Sequence, residues 1–415
     1  MNLLRNLNDL ILAEKKHIYL IFILPISLIL GSTMANANIL LIIFFFLIDC
    51  KKKNNFFFLK DNNFYFLICF NIYLIFNSLF TGIDLDSLLR SIGFLRFILL
   101  AFAICYYLSI DNGKYEKIIL KFWTIVFVTI SIDLIFEYIF GYNLAGLNSE
   151  YYTRLASFTG DELKIGNYYF GFILLVSYFI IKQNLKLSNI ILISFIVISY
   201  LIGERSNFIK IIFISSIFFF FLNKAIFYKK ILYSFLLILF ASIIIYSNNT
   251  LKDNFKTKFI DQAKYFSKSI MKVPVKGDPE FYLHTCHYYT AIEIFKNKPI
   301  IGAGIKKFRY ESHNKGKIKN ENFICGSTHP HQIHFEILSE LGIIGYLSLM
   351  VYFIYFIYKN IKIFNIKKDY YTFAGTLFVL ASILPILPSG SFFTTYSASF
   401  FWINYSFALK NLLKL

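Results

Sequence analysis

Long apolar runs alternate with short polar connectors along almost the whole chain. "IYLIFILPISLILG" after His17 is followed at once by "ILLIIFFFLIDC", and similar runs recur to the last residues. A helix crosses a bilayer with about 20 apolar residues, and on that scale the runs predict about 12 spans. They fall at approximately 17–31, 35–50, 63–81, 91–109, 121–141, 165–181, 187–203, 207–222, 231–247, 336–358, 370–388 and 391–409. Lys15, Lys16 and His17 before the first run, with "ANA" at Ala35 to Ala37, resemble a signal peptide and its cleavage site. The second run follows directly, which favours a helical hairpin instead. The expected fold class is therefore an all-α polytopic membrane protein. Residues 1–247 form a membrane domain with spans 1–9, 248–335 a large helical loop, and 336–415 a membrane domain with spans 10–12.

Composition agrees: 57% of residues are hydrophobic and 20% aromatic, too much apolar surface for a soluble domain of this length. The bias towards Ile, Phe, Lys and Asn runs throughout, so the net charge of +18 says little about partners, and no nucleic acid is implied. Its distribution says more. One set of short connectors holds Lys51, Lys52, Lys53, Lys60, Lys114, Lys117, Lys182, Lys186, Lys224, Lys229, Lys230, Lys359, Lys362, Lys367 and Lys368. The opposite short connectors hold little beyond Arg90, Arg154 and Arg205. The positive-inside rule makes the Lys-rich set cytoplasmic, with both termini inside.

Two features then lie outside: the connector around "NSEYYTRLASFTGDELKIGNYY" and the 248–335 loop. The loop carries six of the seven histidines, His284, His287, His313, His329, His331 and His334. "HTCHYYTAIEIFKNKP" reads as an amphipathic helix ending at Pro299, and Gly302 and Gly304 allow a tight path in "IIGAGIKKFRY". In "GSTHPHQ", Ser327 or Thr328 is the expected N-cap and Pro330 lies in the first turn. His331 would then project from the first helical turn at the outer surface, and Gly342 and Gly345 would permit close helix contact. A neutral imidazole there suits a proton acceptor or a group that positions an acceptor. An interfacial histidine that only packs is the plainer alternative. Zinc binding by "HPHQIH" with His284 and His287 is another, although the spacing lacks the usual His-x-x-x-His pattern.

Only Arg5, Arg90, Arg96, Arg154, Arg205 and Arg309 are arginine among 42 basic residues, and five of these six gather on the outer side. Singly, each could snorkel to lipid phosphate; together they suit an anionic ligand such as a lipid-linked diphosphate. Asp133 and Glu137, four apart on the fifth span, fit a cation or proton path in a transporter, or hydrogen bonding to a neighbouring helix. Cys286 and Cys325 share the outer loop, where a disulfide is possible but not deducible. No glycine-rich nucleotide loop occurs.

His331-Gln332, nine residues, then Gly342-Ile343-Ile344-Gly345 is similar to the His-[Asn/Ser/Gln]-x9-Gly-x2-Gly signature of bacterial O-antigen ligases. "NKPIIGAGIKKF" looks like the Pro-x-x-Gly-x-Gly stretch before that signature, and "GERSNF" resembles the short outer connector with an essential Arg. "RLASFTGDELKIGNYY" looks like a segment of the lipid-linked glycan polymerases in the same superfamily. The resemblance implies a GT-C-like inner-membrane glycosyltransferase acting at the periplasmic face without nucleotide or metal cofactor. Its donor would be an undecaprenyl diphosphate-linked glycan, and its acceptor the lipid A core (ligase) or a second lipid-linked repeat (polymerase). His331 and Arg205 would be catalytic; Arg154, Arg309, His284, Gln332 and Arg96 would bind substrate. Ligases of the family often carry a second Arg about 15 residues before the Pro-x-x-Gly-x-Gly proline. Counting back from Pro299 reaches His284, a departure that favours a polymerase-like member.

Overall fold

Short acidic caps start several of the helices, and the apolar runs continue them. The computed structural model describes residues 16–82, 84–149, 154–160, 164–183, 188–222, 283–313, 325–385 and 387–413, with the isolated Leu239 and Lys256. The expected ninth span and much of the 248–335 loop lie outside the described residues. Among these, all regular structure is helical. The principal helices are α1 (Ser32–Lys52), α2 (Asn62–Phe80), α3 (Leu85–Gly93), α4 (Leu95–Ser109), α5 (Lys114–Phe140) and α6 (Ile165–Gln183). They continue with α7 (Ser188–Leu201), α8 (Arg205–Leu222), α9 (Leu283–Asn297), α10 (Ile333–Lys367), α11 (Tyr370–Ser382) and α12 (Thr395–Leu409). The carboxylates of Asp61, Asp84 and Asp369 accept backbone N–H bonds at the starts of α2, α3 and α11, satisfying donors that a helix leaves orphaned.

Seven helices among the described residues are long and apolar enough to cross a membrane, with α3 and α4 counted as one. The chain is thus polytopic in character. The expected first span is broken into two short turns, Tyr19–Phe22 and Leu24–Ile29, which pack against α1. Asn38 of α1 donates to the Leu20 carbonyl at 3.0 Å. At the other end, spans expected to meet near residue 390 stand further apart: α11 stops at Ser382 and α12 starts at Thr395. Pro385 and Pro388, which cannot donate a helical hydrogen bond, fall in this opened segment.

α12 is the axis of the core. It is buried along nearly its whole length and packs on α4, α6 and α11. Contact with α11 is close at Gly375, where an added Cβ would lie 2.4 Å from the Asn404 carbonyl oxygen. Asn404 in turn donates to the Gly171 carbonyl of α6 at 2.8 Å.

Gly342 does not serve as a simple helix-contact residue. At φ 64° and ψ −169° it breaks α10 into an outer piece and a long inner piece, a backbone region essentially restricted to glycine. The Pro299–Gly304 turn fits the break. Ala303 and Gly304 donate to the carbonyls of Ser339 and Glu340, both at 2.8 Å, which end the outer piece. Ile343 and Ile344 begin the inner piece and donate to Pro299 and Ile300 at 2.9 and 3.3 Å. Gly302 and Gly304 take positive φ as the sequence suggests. Gly345 does make the expected close contact, facing the Tyr73 ring of α2.

Gly342→Ala would force a Cβ to within 2.3 Å of the Ile300 carbonyl oxygen. The expected loss is about 2–4 kcal/mol, read as a lowered thermal midpoint of the purified protein in detergent. An unchanged midpoint would contradict the mutual capping.

Candidate active site

His284 and His287 sit one turn apart on α9, and Cys286 between them is disulfide-bonded to Cys325, with Cα atoms 5.7 Å apart. His287 Nδ1 lies 3.1 Å from the Cys325 carbonyl oxygen, and the Cys325 amide donates to Thr290 Oγ1 at 3.3 Å. The chain leaving Cys325 is thereby fastened to α9 and returns His329 and His331 to its histidines. The His331 ring centroid lies 4.1 Å from His329, 5.2 Å from His284 and 5.3 Å from His287. Among the described residues, no three His, Cys, Asp or Glu side chains are arranged to hold a metal ion.

His331 is not in a first helical turn. α10 begins at Ile333, and Gln332 is the N-cap: its carboxamide oxygen accepts from His334 N at 2.7 Å and Phe335 N at 3.1 Å. His331 precedes the cap with φ 57°, a left-handed conformation that a helix excludes. Its carbonyl accepts from Ser389 N at 2.8 Å. The Ser327 hydroxyl, expected to cap, lies 3.2 Å from His331 Nε2.

Burial, then the neighbouring His329, His284 and His287, pushes His331 down to about 3. Burial and the Lys306 charge bring His329 to about 3. Burial, His287, Arg205 and Arg154 bring His284 to about 4, and burial also lowers His287. The cluster is therefore neutral near pH 7.

The cations come from another set of elements. Asp133 accepts from Leu144 N at 2.7 Å and from the Ser157 hydroxyl at 2.5 Å. Glu137 accepts from Ala156 N and Ser157 N at 3.0 and 2.7 Å. Leu155 N donates to the Ile202 carbonyl at 3.2 Å. Together these bonds fix the 154–160 connector and bring Arg154 towards the start of α8. Glu204 accepts from Gly166 N at 3.0 Å and Asn207 Nδ2 at 2.7 Å, joining α6 to α8 beside Arg205. Burial raises the Glu204 carboxyl. Lys210, fully enclosed one turn further along α8, donates to the Pro388 carbonyl at 3.2 Å.

These elements enclose a cavity of about 1230 Å³. Arg90, Arg154, Lys164, Arg205 and Lys210 line it together with His284, His329 and His331, and Glu204 is the one acid among the described lining residues. The buried Lys306 ammonium lies 3.5 Å from Glu336 and bonds Ser391, one of the lining residues. Ser391 also bonds Glu336, whose other oxygen accepts from Phe392 N at 2.8 Å. Lys306 itself has φ 60° and Ser157 φ 51°. With His331, three of the five non-glycine residues at positive φ among the described residues thus belong to this site or its supports, where backbone strain tends to collect.

Among protein families, the model described as O-antigen ligase matches residues 189–350. That stretch is similar to the O-antigen ligase family. It contains Arg205, the Pro299–Gly304 turn, His331 and Gly342, and it associates the chain with synthesis of bacterial surface polysaccharide. No curated protein matches the chain.

Of the residues singled out from sequence, Arg154, Arg205, His284 and His331 line the cavity. His284, standing where an arginine is common, is electrostatically coupled to Arg205 and Arg154. Arg96 does not line the cavity; it is held by Asn36 and the Thr395 hydroxyl, which does line it, and stacks on Phe97. Gln332 is turned to its helix, and Arg309 lies away from the cavity on the short helix Phe308–Glu311. Sequence reasoning did not single out Lys164, Lys210, Glu204 or the residues of the opened 383–394 segment. A lysine in a lysine-rich chain gives no local signal, and only the fold shows that Lys210 is enclosed.

The disulfide closes a separation of 39 residues. Its loss in Cys286→Ser should cost about 4 kcal/mol by loop-closure entropy, seen as a lower thermal midpoint; a double Cys286→Ser/Cys325→Ser variant as stable as the parent would contradict the pairing. The histidines give a pH dependence. Their folded values lie below the ordinary value of 6.5, so the unfolded chain binds more protons between about pH 4 and 6.5. Stability should fall as pH drops through that window, and His331→Asn, which tolerates the left-handed backbone, should flatten the slope of thermal midpoint against pH.

Proposed function

We propose that this chain is a GT-C-type membrane glycosyltransferase that moves a glycan from undecaprenyl diphosphate to an acceptor hydroxyl at the periplasmic face. The observation that carries this reading is the meeting of five cations and a neutral histidine cluster in one cavity above apolar helices. Arg205 and Arg154 bind the diphosphate through guanidinium forks and offset the charge that develops as it leaves. The bond from the anomeric carbon to phosphate oxygen breaks while a bond to the acceptor oxygen forms. The acceptor proton passes to His331 and from there to the departing diphosphate or water. His331 is a weak base while the cavity is empty; a bound dianion beside it raises its proton affinity towards the working range.

The Lys-rich connectors, cytoplasmic by the positive-inside rule, support a periplasmic position for this cavity. The Cys286–Cys325 bond supports that side, since disulfides persist in oxidising compartments. The acceptor is the lipid A core in a ligase or another lipid-linked repeat in a polymerase. His284 at the position of a common second arginine favours the polymerase. The transporter alternative gains no support, because Asp133 and Glu137 hold the 154–160 connector and neither lines the cavity.

Glycan profiling of a deletion strain tests the reading. Cores capped by a single repeat identify a polymerase; long chains left on the carrier with bare cores identify a ligase. Complementation with Arg205→Ala or His331→Asn should lower transfer at least about 100-fold each. Full transfer retained by both single variants would overturn the mechanism.

A further inference from the structure

The opened segment between α11 and α12 gives the cavity a wall of a different chemistry. Ser389, Gly390, Ser391, Thr394 and Ser397 line it with neutral groups, beside the aromatic rings of Phe392 and Phe401. Several hydroxyls are already engaged: Ser391 with Lys306 and Glu336, and Thr394 with the Ser391 carbonyl at 2.9 Å. Two differ. The Ser389 hydroxyl is shielded from solvent and has no hydrogen-bond partner among the described residues. The Ser397 hydroxyl accepts a long bond from Asn167 at 3.5 Å, and no acceptor for its own proton is found among the described residues.

Gly390 brings these two serines together. A Cβ there would lie 2.3 Å from Ser397 Oγ, so glycine leaves the space that this hydroxyl occupies. The Ser389 amide, meanwhile, donates to the His331 carbonyl at 2.8 Å and fixes the pair beside the proposed base. A shielded hydroxyl without a protein partner is costly, and a ligand that supplies the missing bond relieves that cost. A neutral hydroxyl both donates and accepts, as sugar hydroxyls do, whereas a diphosphate only accepts.

From the glycan-transfer reading and this arrangement, we infer that Ser389 and Ser397 form the acceptor-sugar subsite, separate from the cationic donor subsite, and select which acceptor hydroxyl reaches His331. The aromatic rings cover the apolar face of the same sugar.

The test uses the full chain in detergent, with carrier-linked glycan extracted from the deletion strain as donor. Glycan-free lipopolysaccharide core and carrier-linked single repeat serve as acceptors in separate arms. Ser389→Ala and Ser397→Ala should each raise the acceptor KM about tenfold in whichever arm is active, with donor KM and kcat at saturating acceptor nearly unchanged. Gly390→Ala should do the same by displacing the Ser397 hydroxyl. An unchanged acceptor KM in all three variants, or a rise in donor KM instead, would overturn the subsite. Thermal midpoints close to the parent's exclude a folding defect, and the two serines sit on separate stretches of chain, so one variant remains informative if the other fails to fold. Arg205→Ala and His331→Asn run alongside: if these retain transfer, the parent reading fails; if they lose it while the serine variants behave as wild type, only the subsite fails.

Discussion

The break in α10 at Gly342 is the constraint on which the cavity end of this protein depends. A helix end exposes carbonyls and a helix start exposes N–H groups, and burying either without partners is costly. Here one short turn, Pro299–Gly304, answers both sets at once. The outer piece of α10 can therefore tilt away from the membrane helix below it while its backbone stays satisfied. Everything carried by that piece follows: the Gln332 cap, the left-handed His331 before it, and Glu336 and Glu340 on its inner face. Both carboxylates turn back on the same turn's continuation. Glu340 accepts from Lys306 N at 2.8 Å, and Glu336 meets the Lys306 ammonium and the segment around Ser391. A buried ion pair of this kind adds little net stability. Its use is registry: it fixes the glycine-rich turn, α10 and the wall of the cavity relative to one another.

Much of this was legible in the chain, for reasons that differ from place to place. Apolar run length revealed the helical membrane character, because the bilayer imposes one length on any span. The two glycine motifs were visible, and the tight turn at Gly302 and Gly304 and the close contact at Gly345 follow from them. Gly342 reads as a second helix-contact residue, and only its pairing with the turn some 40 residues earlier reveals the break. The N-cap was misplaced for a similar reason: Ser327 is the better cap by residue type, yet the carbonyl of His331 is held by Ser389, which lies nearly 60 residues downstream. Tertiary partners overrode local preference.

The arginines show the same limit from another side. Topology leads to the expectation that they gather on one side of the membrane, but it does not say which share a cavity, since Arg96 and Arg309 carry the same local signal as Arg154 and Arg205. The difference arises from partners: Arg96 is bound by Asn36 and Thr395, while Arg154 is set in place by a connector that Asp133 and Glu137 hold from α5. In the sequence those two acids fit either a pathway for ions or hydrogen bonding to a neighbouring helix. In the fold they are anchors, and the charge they carry serves to order backbone amides rather than to travel.

The electrostatics of the cavity then have a consistent sense. Five cations face a single carboxylate, and Glu204 is itself raised by burial and bound to Gly166 and Asn207. Burial first, then the neighbouring histidines and cations, hold the histidines beside it neutral, and the site gains most from a ligand that brings several negative charges together. Binding that ligand changes the histidines as well, because each anionic charge placed among them favours protonation. In the proposed transfer, such a site makes its base effective only when the donor is bound, and water alone meets a histidine too weakly basic to activate it.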